Sequence, residues 1–528
     1  MRNVARSVLL VAVLLVFGLV LSSCQEETET PELDSPSTRD ESSGAPNIIF
    51  IITDDQDARS VEYMPELKAL LAEEGTTFGN AYVTHSLCCP SRASILRGQY
   101  THNHRVLTNG GGPYYKGHDP YYTDYDLAPD NLPFGGFEKF RDRGHEESNV
   151  ATWLKSGGYR TVLIGKYLNG YPKQPNSQSY PEGIQPTYVP LGWDEWYGHI
   201  EEGILYYNYR LNENGNIVSY SDDAEDYETD VLARKAIEYV RRTADDPQPF
   251  FMYLAPSTPH DPFIPAPRHE EQFPGTKAPQ SPSFNEPDVS DKPSWLRERF
   301  LPLSSLQIAK IDIDYRARLQ MLLAVDEMIS DLVQALEEGG KLENTYIVFT
   351  SDNGWHQGEH RRSRGKGTAY EEDIRVPLIV RGPGVPAGRT LSQLALNIDF
   401  APTFAELAGV TVPSFVDGRS LVPLLTGDAS SASWRSTFLL EWWNEHIDHS
   451  YMVPSYKGLH TSDHVYVKYA SGDRELYDLR ADPYEVQNLY ETADPALVTQ
   501  LESWLEALSD CAGETCRVAE DAQPVIVP

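Results

Sequence analysis

Two uninterrupted apolar runs govern what this chain can fold into. Pro46-Asn47-Ile48-Ile49-Phe50-Ile51-Ile52 and Tyr346-Ile347-Val348-Phe349-Thr350-Ser351 are short and rich in β-branched residues, with no polar alternation. That is the pattern of strands buried on both faces of a sheet. Each run breaks off into acid and amide, Thr53-Asp54-Asp55 after the first and Asp352-Asn353-Gly354 after the second. In open α/β sheets, sites assemble beyond the carboxyl ends of the strands, so the two runs deliver polar groups to equivalent ends. Between them Leu319, Leu322, Val325, Ile329, Leu332 and Leu336 recur at three-and-four spacing and stop at Gly339-Gly340, which predicts a helix packed on the sheet. After about residue 430 the pattern changes to short strands near Thr437–Trp442, His464–Tyr469 and Glu475–Leu479, followed by a helix near Ala496–Leu508. This reads as a small antiparallel sheet-and-helix subdomain.

Asp54, Asp55, Asp352 and Asn353 offer hard oxygen ligands, the set preferred by Ca²⁺ or Mg²⁺ over zinc, and the residues alone do not choose between those two ions. Each acidic pair taken singly is what a turn or helix cap also uses. Two pairs at two strand ends favour a metal. The formal net charge of −34 argues against nucleic acid as a partner, which would require a basic face. It leaves an anionic small substrate open, provided a few local cations or a metal hold it.

The first 23 residues read as an export signal. Arg2 and Arg6 precede an apolar run from Val8 to Leu21, too short for a comfortable membrane span. The run ends Leu21-Ser22-Ser23-Cys24, similar to a bacterial lipobox, in which Cys24 would receive lipid. Residues 24–45, rich in Glu, Ser, Thr and Pro, cannot bury a core and read as a disordered acidic tether. The expectation is an exported, extracytoplasmic lipoprotein of the cell envelope, touching the membrane through its N-terminal lipid only. A catalytic domain over 46–430 and the subdomain over 431–528 would follow. Of the five cysteines, Cys511 and Cys516 could close a small disulfide loop. Cys88 and Cys89 remain as adjacent thiols in an exported protein, which calls for a chemical explanation.

That explanation comes from the segment Cys88-Cys89-Pro90-Ser91-Arg92-Ala93-Ser94-Ile95-Leu96-Arg97-Gly98, which resembles the signature of formylglycine-dependent sulfatases. In that family the first cysteine of a Cys-x-Pro-x-Arg core is oxidised to an aldehyde whose hydrate attacks sulfur. The resemblance therefore implies Cys88 as the modified residue and a metal contact, Arg92 as the group positioning the hydrate, and a formylglycine-generating enzyme as a maturation partner. It also implies an alkaline-phosphatase-like α/β/α sandwich with a large mixed sheet. Further matches run in family order through residues 46 to about 490. Lys166, in Gly165-Lys166-Tyr167-Leu168-Asn169, matches a sulfate-binding lysine. His260, in Thr258-Pro259-His260-Asp261-Pro262, matches a histidine at the sulfate or the leaving oxygen. His356, in Asp352-Asn353-Gly354-Trp355-His356, is a further contact, and Lys366 matches a lysine that hydrogen-bonds the ester oxygen. Asn397-Ile398-Asp399 and Glu475-Leu476-Tyr477-Asp478-Leu479 resemble structural signatures.

Leu168 stands where many sulfatases carry a histidine, which leaves the identity of the general acid open. Gly-Lys-Tyr-Leu-Asn and Pro190-Leu191-Gly192-Trp193-Asp194-Glu195-Trp196 look most like the N-acetylglucosamine-6-sulfatase branch, implying 6-O-sulfated glucosamine in glycans as substrate. Tyr114, Tyr115, Tyr121, Tyr122 and Tyr125 could stack on sugars or pack locally. His102 and His104 are expected to be structural or rim residues. Two alternatives stand beside the sulfatase: a phosphonate or phosphate ester hydrolase on the same groups, and a glycan-binding lipoprotein whose Cys88 stays a thiol.

Overall fold

A computed structural model describes residues 44–110, 135–172, 183–200, 205–427, 434–444 and 453–522. The described residues form one compact unit. Cys24, the tether and the five tyrosines from Tyr114 to Tyr125 lie outside the described residues.

The apolar runs are strands Asn47–Thr53 and Thr345–Ser351, paired in parallel from Asn47 opposite Thr345 to Thr53 opposite Ser351. They lie at the middle of a ten-stranded sheet. Its order is 389–391, 76–78, 378–381, 345–351, 47–53, 250–255, 160–165, 195–199, 210–213 and 216–219. The five strands from 345–351 to 195–199 are parallel to one another, while antiparallel pairs flank them on both sides. The sheet is therefore mixed.

Every residue of Asn47–Thr53 is buried, because both faces are covered. Ile49, Ile51, Ile347 and Phe349 meet helices Glu228–Arg242 and Ser305–Glu338 through Leu232, Leu322, Val325 and Ile329. On the other face Phe50 packs against Tyr253, Phe400 and Phe404 with ring centroids 5.1–5.4 Å apart. This is the α/β/α sandwich.

The long helix begins where Ser304 accepts from Gln307 N while Gln307 bonds back, a reciprocal capping box. It extends well N-terminal of the apolar stripe read from sequence, and Gly339 caps it. The C-terminal subdomain is a four-stranded antiparallel sheet in the order 437–442, 456–461, 464–469 and 474–478, followed by helices Pro495–Ser509 and Glu514–Asp521. Cys511 and Cys516 are joined as a disulfide.

Candidate active site

Cys88 is the first residue of helix Cys88–Arg97, whose Leu87 N-cap is extended. The helix stops at Gly98, which adopts φ 65° and donates its N–H to Ser94 O at 2.8 Å. A Cβ there would sit 2.9 Å from a Val416 methyl, so both the backbone conformation and the space require glycine.

The turn before this helix brings the buried Cys88 thiol to the ends of the two central strands. Its Sγ lies 3.3 Å from Asp54 Oδ1, and Lys366 Nζ donates to it at 2.8 Å. The Lys366 ammonium also donates to Asp55 Oδ1, and Lys166 Nζ donates to Asp54 Oδ2. Arg92, one turn into the helix, donates from Nε to Asp352 Oδ2 at 2.8 Å and from Nη1 to the Lys166 carbonyl at 2.9 Å. Its contacts are therefore with a carboxylate and a backbone carbonyl. Asn353 Nδ2 donates to Asp55 Oδ1 at 2.7 Å, and His260 Nε2 lies 3.6 Å from Asp55 Oδ2. Asp54, Asp55, Cys88 and His260 each offer a ligand atom within 4.8 Å of the others.

Burial alone would push the Asp54 and Asp55 carboxyls up, but the surrounding cations outweigh it. Lys166, His260, Arg92 and Lys366 hold Asp54 well below the usual carboxylate range, and Lys366 and His260 lower Asp55. Burial and the Asp54 charge push the Cys88 thiol up, and burial with Asp54 raises Asp352. As a thiol, Cys88 is thus held protonated and is a poor nucleophile.

A family model described as Sulfatase matches residues 46–410. This chain belongs to the sulfatase family. It is a sulfuric ester hydrolase. A second model, N-sulphoglucosamine sulphohydrolase C-terminal, matches residues 358–510 of the sulfatase. Human N-acetylglucosamine-6-sulfatase is 35% identical over 89% of the chain and 86% of its own length. A solved structure in complex with its substrate D-glucosamine-2-N,6-O-disulfate is 27% identical, with TM-score 0.71 over 91% of this chain and 100% of the other. A phosphonate monoester hydrolase from Silicibacter pomeroyi, 23% identical, shares the fold with TM-score 0.65 over 89% of this chain and 96% of its own.

His356 is buried with Nδ1 2.6 Å from Asp373 Oδ1, so its ring is fixed by that carboxylate. His102 lies between Glu441 and the Cys511 carbonyl, and His104 between Ser94 Oγ and the Val106 N–H. Both tie segments of backbone together, as expected of structural histidines.

Three supporting residues were not legible in advance. Arg318 of the long helix donates to the Asp55 and Pro259 carbonyls. Tyr206 Oη donates to the Ser257 and His260 carbonyls at 2.9 and 2.6 Å. Asp373 orients His356. Only Arg318 left a trace in the sequence, a guanidinium directly before Leu319 in an apolar helical stripe, where burial demands an acceptor.

The site suits a divalent cation. Asp55 Oδ2 and Asn353 Oδ1 are buried acceptors without a hydrogen-bond donor, beside a set of hard oxygens that matches Ca²⁺ or Mg²⁺.

Proposed function

We propose that the sulfatase removes sulfate from 6-O-sulfated glucosamine residues of glycans, with Cys88 matured to formylglycine and Asp54, Asp55, Asp352 and Asn353 holding Ca²⁺ or Mg²⁺. The observation that carries this reading is the meeting of Cys88, Asp54, Asp55 and Lys366 in one buried knot at the strand ends. The substrate class rests on the similarity to human N-acetylglucosamine-6-sulfatase and to the neighbour solved with D-glucosamine-2-N,6-O-disulfate.

A bound divalent ion would polarise the sulfate oxygens and lower the pKa of the attacking hydroxyl. The hydrated aldehyde supplies one oxygen for attack on sulfur and a second that expels sulfate by re-forming the carbonyl. The remaining work falls to the chain's own side chains. Lys166, at the Asp54 end, binds the sulfate oxygens. Lys366 and His260, both beside Asp55, are the two groups that can give a proton to the departing alcohol oxygen. Arg92 fixes the Asp352 carboxylate and so the position of that ligand. Asp54, Asp55 and Asp352 balance Arg92, Lys166 and Lys366 in formal charge. A divalent ion would leave a surplus of two positive charges, which a monoanionic sulfate ester and an ionised nucleophile would neutralise. That balance favours sulfate transfer in a buried site where net charge is costly.

Leu21-Ser22-Ser23-Cys24 supports an exported form tethered by lipid on Cys24, and Cys88-Cys89-Pro90-Ser91-Arg92 supports maturation by a formylglycine-generating enzyme.

Protein purified from its own host should release sulfate from N-acetylglucosamine-6-sulfate. Phosphonate esters assayed in parallel should turn over more slowly, and Cys88→Ala should abolish both reactions. Faster turnover of the phosphonate would overturn the substrate class, and sugar binding without turnover would favour a glycan-binding lipoprotein.

A further inference from the structure

A second set of buried ligand-type side chains lies away from the Cys88 knot. His360, Glu372 and Glu485 each offer a ligand atom within 4.8 Å of the others. They come from three separate segments: the loop ahead of Lys366, the first turn of helix Glu371–Ile374, and the stretch after the C-terminal sheet. His360 and Glu485 are at most 1% exposed, and the Glu372 side chain is 9% exposed.

What marks this cluster is that each member is fixed through one atom and bare at the other. His360 Nδ1 is 2.9 Å from Glu286 Oε2, which orients the ring, while Nε2 has no hydrogen-bond partner. Glu372 Oε1 accepts from Ser283 Oγ at 3.3 Å, and Oε2 is unpartnered. Glu485 Oε2 accepts from the Glu371 N–H at 2.9 Å, and Oε1 is unpartnered. The nearby cation, Lys292, is engaged elsewhere: it donates to the Glu485 carbonyl at 2.9 Å and pairs with Glu286 Oε1 at 3.2 Å. Three buried atoms that can all accept are left without a donor, an expensive arrangement unless a positive charge joins them.

We propose that His360, Glu372 and Glu485 form a second metal site, distinct from the one at Asp54 and Asp55, that takes Zn²⁺. One imidazole with two carboxylates is a set that zinc accepts, and calcium would shun the nitrogen. Two carboxylates neutralise the ion. Bonds of about 2.0–2.2 Å can span the 3.9 Å between His360 Nε2 and Glu372 Oε2. Glu286 on Nδ1 is the outer carboxylate that a metal-bound histidine ordinarily has. Glu372 also lines a cavity of about 360 Å³ with Arg59, Glu359 and Pro483, so one of the three carries its side chain to an open space. Bound there, zinc would clamp the loop leading to Lys366 onto the C-terminal segment. The site depends on neither the maturation of Cys88 nor the identity of the ester.

The full chain would be stripped with EDTA, dialysed against buffered zinc chloride, and its metal counted by plasma mass spectrometry. Wild type should retain one zinc per chain that His360→Gln and Glu485→Gln lose, with circular dichroism confirming that both variants fold. Glu286→Gln should weaken zinc affinity about 10–100-fold. Zinc-edge anomalous diffraction from wild-type crystals soaked in zinc chloride gives a reading independent of how the variants fold. A peak beside His360 Nε2 is expected. No peak there, a peak at Asp54 and Asp55 alone, or zinc retention unchanged in the folded variants would overturn the proposal.

Discussion

Lys366 touches Cys88 Sγ and Asp55 with one ammonium group, so its replacement tests the proposed nucleophile and a metal ligand together. Lys366→Ala is expected to lower kcat/KM by about 10²–10⁴-fold, the range for losing a positioned acid or charge stabiliser. Far-UV circular dichroism should stay unchanged. A loss under about threefold would remove Lys366 from the chemistry. EDTA should abolish turnover, and added Ca²⁺ or Mg²⁺ should restore it in wild type but not in Asp55→Asn. Residues at this scale were legible in sequence where chemistry and strand position coincide. Asp54, Asp55, Asp352 and Asn353 follow buried strands, and Cys88 opens a long motif. Asp373 and Tyr206 were not legible, because each acts through a contact that only the folded loops create.

Among the elements, the join between the C-terminal helix Glu514–Asp521 and the large sheet's helical layer rests on a buried charge network. Arg435 donates to Asp399 Oδ1 at 2.7 Å and to Glu520 Oε2 at 2.9 Å, and all three side chains are fully buried. Arg435→Ala would leave the buried Asp399 carboxylate without its ion-pair partner and Glu520 paired with Arg419 alone, and is expected to cost about 3–5 kcal/mol, read from chemical denaturation. Gly98→Ala should also destabilise, because it combines a left-handed backbone with a clash against Val416. A neutral result for either would refute the packing argument. Strands with continuous β-branched runs were readable. Tyr456–Thr461 was not, because Lys457 and Gly458 break its pattern and its place is fixed by pairing on both sides with 437–442 and 464–469. Asp399 was recognised as structural, but its partner Arg435 lies 36 residues away and is identified only by the fold.

Across the described residues, three buried histidines contribute acid sensitivity near neutral pH. Burial pushes His85 and His145 down to about 3 and lowers His104 well below its ordinary value. A histidine whose folded pKa is depressed contributes stability that is present above its unfolded pKa near 6.5 and is lost as pH falls below it. Each of the three therefore steepens the loss by about 1.4 kcal/mol per pH unit. His102 acts in the opposite sense: burial opposes its charge, but Glu441 raises it, so it gains stability on acidification. Buried carboxyls pushed up to about 6 or 7, such as Asp326 and Glu286, act in the opposite sense over the same range, so the test is a difference: His145→Gln should lose less stability than wild type between pH 7 and pH 5, and an unchanged pH dependence of the denaturant midpoint would contradict this assignment. None of this was visible in sequence, where the same histidines are only residues near a motif.

Whether Cys88 is the precursor of the nucleophile is read from the mass of the peptide containing Cys88, taken from catalytically active protein purified from its own host. The aldehyde or its hydrate is expected in a fraction that tracks sulfate release across preparations. A fully active preparation in which Cys88 is an intact thiol would contradict that role.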